Sequence, residues 1–256
     1  MSDYSDQSGD DLGLKRQLAE WKRSLAVANQ ELEALSYAVS HDLRGPLRIM
    51  DGFSRILMEE YADALPEQAT HYLNRICSGS DRMKTMIDGL LQLSRINKEQ
   101  LRLEDVDLST LAEECASRLR AKQVDRTVTW ETAPNLSAKG DRALLTMALD
   151  HLLDNAWKFT ALEPRAKIEF GLEDDSENPH FFIRDNGAGF NMKYANKLFT
   201  PFQSLHGGET FTAGIGIGLA SVQRIIHRHD GEIWAGAQEG GGAIFYFTLV
   251  SRQGVK

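Results

Sequence analysis

His41 lies in the octet Ser40-His41-Asp42-Leu43-Arg44-Gly45-Pro46-Leu47, and a neutral imidazole in such a place is a nucleophile toward phosphorus. One ring nitrogen keeps a lone pair, provided that the other carries the proton and an acceptor holds it. Asp42 is the acceptor at hand. Successive helix residues diverge by about 100°, so the pair requires bent rotamers. A single helical histidine is as readily a packing or surface residue, and the octet alone leaves both readings open.

Three stretches in the second half carry polar and glycine signals. In His151-Leu-Leu-Asp-Asn155-Ala-Trp-Lys158-Phe-Thr160, His151, Asn155 and Lys158 are spaced by four and three and share one helix face. A neutral amide oxygen there can ligate Mg²⁺, and an ammonium can meet phosphate oxygens; a solvated polar face is the plainer alternative. Asp185-Asn-Gly187-Ala-Gly189-Phe190 follows a strand. Its glycines admit a ligand close to the backbone, and an ionised Asp accepts from an exocyclic amine such as adenine's. A glycine-rich turn is the alternative. Gly214-Ile-Gly216-Ile-Gly218-Leu219 opens a helix, where backbone N–H groups and the helix dipole favour an anion. It lacks the Gly-Lys-Ser/Thr ending of a P-loop and the parallel βαβ setting of a dinucleotide fold. The roughly 25 residues between these last two signals, with Phe199, Pro201 and Phe202, exceed an ordinary connection and suggest a mobile lid.

The elements that must position these groups follow from periodicity. Leu14, Leu18, Trp21, Leu25, Ala28, Leu32, Leu35 and Val39 step by alternate fours and threes, a heptad seam that leads into the octet and leaves His41 beside the stripe. A seam of this length calls for a partner helix. A second copy of the chain is the first expectation and an intramolecular helix the alternative. Pro46 should kink the helix one turn beyond His41, and Tyr61 to Pro66 breaks the pattern. A second helix starting near Pro66, with Leu73, Ile76, Ser80, Met83, Ile87 and Leu90 on one face, completes a hairpin, and two hairpins make a four-helix bundle.

The domain boundary falls at residues 95–106. Beyond it, Asp107 is a candidate N-cap for a helix to Leu119, and Gly140-Asp141 opens an apolar helix to Phe159. Strands are expected at 127–132, 167–172, 180–184, 232–237 and 243–250, with a helix at about 216–228. Helices with mostly antiparallel strands describe an α+β two-layer sandwich. The expected divisions are a disordered acidic tail at 1–13, a coiled-coil helix at 14–34, a helical phosphoacceptor and dimerisation unit at 35–98 and a nucleotide-binding unit at 99–256.

Composition limits the alternatives. The 256 residues are 42% hydrophobic and 26% charged, with a formal net charge of -8. This is an ordinary globular balance that argues against general nucleic-acid binding. Cys77 and Cys115 lack metal-ligand spacing and read as buried reduced thiols, which fits a cytoplasmic setting. The N-terminus is polar rather than a signal peptide, and no apolar run is long enough to cross a bilayer.

Taken in order, these stretches resemble the H, N, G1, F and G2 boxes of sensor histidine kinases over about residues 35–250. Gly189-Phe-Asn-Met-Lys-Tyr-Ala-Asn-Lys-Leu-Phe199 and Arg224-Ile-Ile-His-Arg-His229 are most similar to the phytochrome-type and PAS-linked branch. The resemblance implies a GHKL, or Bergerat, ATP-binding fold. It implies His41 as phosphoacceptor with Asp42 as polar helper, Asn155 holding Mg²⁺, Lys158 meeting phosphate and Asp185 reading adenine. Gly187 and Gly189 would approach the nucleotide, while Phe202, Gly214, Gly216, Gly218 and Leu219 would form the lid and its phosphate end. It further implies ATP and Mg²⁺ as cofactors, a homodimer, a response regulator receiver domain as phosphoryl acceptor and an upstream sensor domain or protein.

The chain departs from that pattern at several positions. His151 stands where the family usually has Asn, Ile215 replaces a usual Thr or similar residue, and Ser204 replaces a frequent Arg, so ATP binding is expected to be retained but weaker. Gly45, four residues after the histidine, lacks the Thr or Asn side chain that positions water in kinases that also dephosphorylate their regulators. Weak phosphatase activity is the expectation. Related ATPases that share the fold carry a glutamate at the position of His151 to activate water, and Glu is absent here. A pseudokinase or phosphotransfer scaffold that docks regulators without efficient autophosphorylation is the other alternative, against which Asn155, Lys158 and Asp185 argue.

Overall fold

The computed structural model describes residues 6–98, 100–173, 179–203, 215–237 and 240–249. It divides into two compact units, Met1–Ser94 and Arg95–Lys256. No helix among the described residues is long and apolar enough to cross a membrane.

The first unit is a pair of long helices, α1 (Asp6–Glu60) and α2 (Glu67–Lys98), of which the last turn of α2 belongs to the second unit. The expected helical hairpin is present, with the break at Tyr61 to Pro66. Helix α1 starts at Asp6 and runs through Pro46 without ending. Residues 6–13, expected to lack regular structure, are therefore helical, because extending a nucleated helix costs one residue's freedom per hydrogen bond gained. Residues 1–5 of that expected tail lie outside the described residues.

Leu47, Ile87 and Leu91 pack between the helices. Arg44 reaches Asp88 at 2.6 Å, and Arg55 is held by Asp51 at 2.9 Å and Asp81 at 3.4 Å. The seam positions Trp21, Ala28, Leu35 and Val39 face solvent in the single chain, as do Ile49, Phe53, Ile56, Ile76 and Met83. The side chains of Leu14, Leu18, Leu25 and Leu32 lie outside the described ones. A hairpin that leaves this much apolar surface open has buried only part of what its sequence pattern calls for.

The second unit is the two-layer sandwich. Strands β2 (Val128–Thr132), β4 (Ala166–Glu173), β5 (His180–Asp185), β6 (Ile233–Ala237) and β7 (Ala243–Phe247) form one sheet in the order β2-β4-β5-β7-β6. The β2–β4 pair is parallel and the rest are antiparallel. Helices α3 (Leu108–Lys122), α4 (Arg142–Phe159) and α5 (Gly218–Arg228) share one core with the inner face of the sheet. Phe170, Ile168 and Ile183 of the strands lie fully buried with Leu152, Leu153, Ile225 and Ile226 of the helices. Each such apolar side chain contributes about 1.5–3 kcal/mol.

The expected Asp107 cap is present, and Asp141, where the second helix was expected to open, is a cap as well. Asp107 accepts from Thr110 N at 2.9 Å, and Asp141 accepts from Ala143 N and Leu144 N. Bonds from Thr110 hold the Asp107 carboxyl below its usual range, the behaviour of a cap that works as an anion.

Two strands were not foreseen. β1 (Leu103–Asp107) and β3 (Ser137–Asp141) pair antiparallel in a separate ribbon. Their sequences, LEDVD and SAKGD, carry no apolar alternation. What stabilises them is pairing with each other beside α4, which a periodicity reading cannot detect. The stretch after Asn186 also contains a short 3-10 helix, Met192–Lys197, where no regular structure was expected.

Candidate functional site

On α1, the imidazole of His41 is 76% exposed and its Nδ1 lies 3.2 Å from Asp42 Oδ1, itself on a side chain 82% exposed. The bent-rotamer pairing is thus realised. Ser40, one residue back, is buried, so the helix turns its serine inward and its histidine outward. With Nδ1 occupied by the carboxylate, Nε2 is the nitrogen left for chemistry.

In the second unit the three polar signals converge on α4. At its carboxyl end, Ala188 N donates to Phe159 O at 3.1 Å, and a Cβ on Gly187 would stand 2.4 Å from that carbonyl. Only glycine lets the turn after β5 lie so close. Nearer the amino end, the ring of His151 lies against the first residue of α5, 3.3 Å from where a Cβ on Gly218 would be. Asn155 lies between these two contacts, and Lys158 precedes Phe159, so α4 is a wall touched by the Asp185–Gly189 turn at its carboxyl end and by α5 near its middle. His151, Asn155 and Lys158 are all half-buried, which sets aside the reading of a fully solvated face.

The electrostatics are those of a partly dry cleft. Asp185 is 5% exposed, and burial pushes its carboxyl up to about 6, opposed by backbone N–H groups of Gly187 and Ala243. Gly187 N donates to its Oδ1 at 2.9 Å. Burial likewise pushes the Lys158 ammonium and the His151 imidazole down, against the pull of Asp154 on both and of Asp150 on His151. Lys158 Nζ stands 5.0 Å from the Phe159 ring centroid. A buried anion held by backbone donors and an ammonium that burial disfavours are both groups that a bound ligand would compensate.

Of the last glycine run, Gly214 lies outside the described residues, as does Ser204. Gly216 has φ +74 and its Cβ would meet Gln203 O at 2.3 Å, while Phe202 N donates to Gly216 O at 3.0 Å. Phe202, with φ 64, thus closes a turn against Gly216 and leaves its ring partly exposed. Among the described residues, helix α5 begins after Ile217 with no side-chain cap, and the first N–H groups of a helix have no partner within it. Leu219 packs on the core, and Gly189 has φ 62.

Some residues that build the site escaped sequence reading. Arg126 donates to Trp157 O at 2.5 Å and to Thr160 Oγ1 at 2.8 Å, and its guanidinium lies over the Trp157 ring at 4.5 Å. It thereby ties down the carboxyl end of α4 beside Lys158. Asn186 takes Lys167 N at 2.7 Å and gives to Arg165 O at 2.8 Å, which fixes the exit of β5. Asn186 sat visibly in the Asp-Asn-Gly turn, whereas nothing local marks Arg126.

Comparison with known proteins bears on both units. Residues 31–99 match the His Kinase A (phospho-acceptor) domain, and residues 140–253 match the histidine kinase-, DNA gyrase B- and HSP90-like ATPase domain. The chain belongs to the histidine kinase family. Among curated histidine kinase relatives and their kin, it is 32% identical to cyanobacterial phytochrome B of Nostoc sp. over 91% of this chain and 31% of that protein. It is 31% identical to the methanogenesis regulatory histidine kinase FilI of Methanothrix harundinacea, over 92% of this chain and 26% of that one. The chain thus spans less than a third of the length of these relatives. In fold it is similar to the Acinetobacter baumannii histidine kinase AdeS, with a TM-score of 0.56 at 22% identity over 82% of this chain and 96% of that one.

Proposed function

We propose that this histidine kinase chain takes the γ-phosphoryl group of Mg-ATP onto His41 and passes it to an aspartate of a response regulator receiver domain. The observation that carries the proposal is the pairing of an exposed His41 with Asp42 through Nδ1. Nε2 attacks the γ-phosphorus, a P–N bond forms, and the bond from phosphorus to the bridging oxygen of ADP breaks. The positive charge that grows on the ring, whose Nδ1 keeps its proton, is offset by the adjacent Asp42 carboxylate.

In the second unit, Asp185 accepts from the adenine amine, with Gly187 and Gly189 letting the base lie close to the backbone. Lys158 meets phosphate oxygens, and the phosphate end is received by Phe202 and the Gly214, Gly216, Gly218 and Leu219 turn. A hard oxygen from Asn155 beside substrate phosphates matches the way Mg²⁺ is held, through few protein donors; when bound, the ion would neutralise charge on the phosphates.

The chain acts as a homodimer. The open apolar residues Ile49, Phe53, Ile56, Ile76 and Met83 pair with those of a second hairpin in a four-helix bundle, and the seam from Leu14 to Val39 continues it as a coiled coil. A sensor domain or protein upstream of that helix supplies the input, and the chain works in the cytoplasm.

Incubation with γ-labelled ATP tests the assignment. Acid-labile, base-stable label on the wild type, absent from His41→Gln, is the expected result. Label that persists in His41→Gln refutes it.

A further inference from the structure

His151 is an outlier in the cleft, an aromatic ring where the family pattern has an amide. It sits one turn before Asn155 on the same face of α4, half-buried, and its Nδ1, Cγ and Cβ lie 3.3, 3.5 and 3.7 Å from the point where a Cβ on Gly218 would stand. Gly218 is the first residue of α5, whose amino end has no side-chain cap. The imidazole therefore lies between α4 and the first residue of α5. Gly218 has an ordinary negative φ among the helical residues, so backbone conformation does not demand glycine there. The ring crowds the position instead: a methyl group at 218 would ask it to give way by a few tenths of an ångström.

We propose that His151 is a positioning residue of the nucleotide site, a spacer that sets the gap between α4 and the amino end of α5 in which the phosphates are received. The inference rests on the nucleotide reading above. It assigns this chain's histidine to α5 rather than to the metal, and it makes residues 151 and 218 a matched pair. Replacing either alone alters the gap, whereas replacing both relieves the clash. Adenosine, which has no phosphates and engages the Asp185 end, does not sense the gap.

Titrations of the whole chain with Mg-ATP and with adenosine test this. Gly218→Ala should weaken Mg-ATP binding about tenfold although alanine is the better helix former, and His151→Ala several-fold, both with adenosine affinity unchanged. In the double variant the losses should not add, with affinity returning to that of His151→Ala. His151→Phe, which restores a flat ring, should bind Mg-ATP within about threefold of wild type. Additive losses, an equal fall in adenosine affinity, or His151→Phe as weak as His151→Ala overturns the inference while leaving nucleotide binding intact. A wild-type chain that binds no Mg-ATP overturns the nucleotide reading itself, and the inference with it.

Discussion

Asp185→Asn should make the nucleotide-free chain more stable and the nucleotide complex much weaker. Asp185 is buried and its carboxyl is pushed from 3.8 up to about 6, which corresponds to a penalty of about 3 kcal/mol on the charged form at neutral pH. An amide at the same place keeps the bond from Gly187 N, found at 2.9 Å in the native protein, and carries no charge. Its own burial costs about 1–2 kcal/mol, so a net gain of about 1–2 kcal/mol is expected, or about 2–6 °C in Tm. On the proposed reading of the site, the same change removes the charge-assisted acceptor for the adenine amine, worth about 1.5–3 kcal/mol, and should raise the Kd for Mg-ATP about 10- to 150-fold.

The pH dependence has a definite sign. Between about pH 4 and 6 the native state holds a proton at Asp185 that the unfolded chain has released, so this group's contribution to stability rises as the pH falls through that window. Asp185→Asn flattens that rise. ATP binding runs the other way, because the acceptor must be ionised, so affinity should fall below about pH 6 in the wild type. Thermal melts with and without Mg-ATP at pH 5 and 7.5 read both effects. An Asp185→Asn chain that melts lower than wild type without nucleotide, or that keeps wild-type ATP affinity, refutes the reasoning that burial of this charge is sustained by ligand binding.

Other perturbations act on separate parts of the molecule. Asp42→Asn should slow labelling of His41 by about 10- to 100-fold with no change in circular dichroism or Tm, since both side chains are exposed. An unchanged labelling rate would show that the 3.2 Å contact plays no part in activating the ring. Phe170→Ala, at the centre of the sheet core, should cost about 3–5 kcal/mol in denaturant unfolding. Gly45→Thr should be tolerated structurally, because a Cβ there meets nothing within 4 Å. It should speed loss of phosphate from a phosphorylated regulator if the bare backbone at this position is what limits that reaction, and release as slow as with the wild type would dismiss Gly45 as the cause.

The order and spacing of the polar residues could be read directly from the chain. So could the helical hairpin, the Asp107 cap and five of the seven strands among the described residues, because each rests on interactions within a few residues or on a repeating apolar pattern. His41 beside Asp42, and Asn155 between His151 and Lys158, are local facts of helical spacing. The β1–β3 ribbon was not legible, because its strands have no pattern apart from each other. Nor was the role of Arg126, which clamps a helix end more than thirty residues away, or the seat of His151 on Gly218, where two motifs meet that the chain keeps far apart. Burial was decided by tertiary structure alone. The aspartate at 185 would be an ordinary carboxyl in an open turn, and closing the core around it is what raises its pKa and turns it into a group that gains from a partner. Local geometry is encoded by neighbours in sequence, whereas solvation depends on everything that packs around a site.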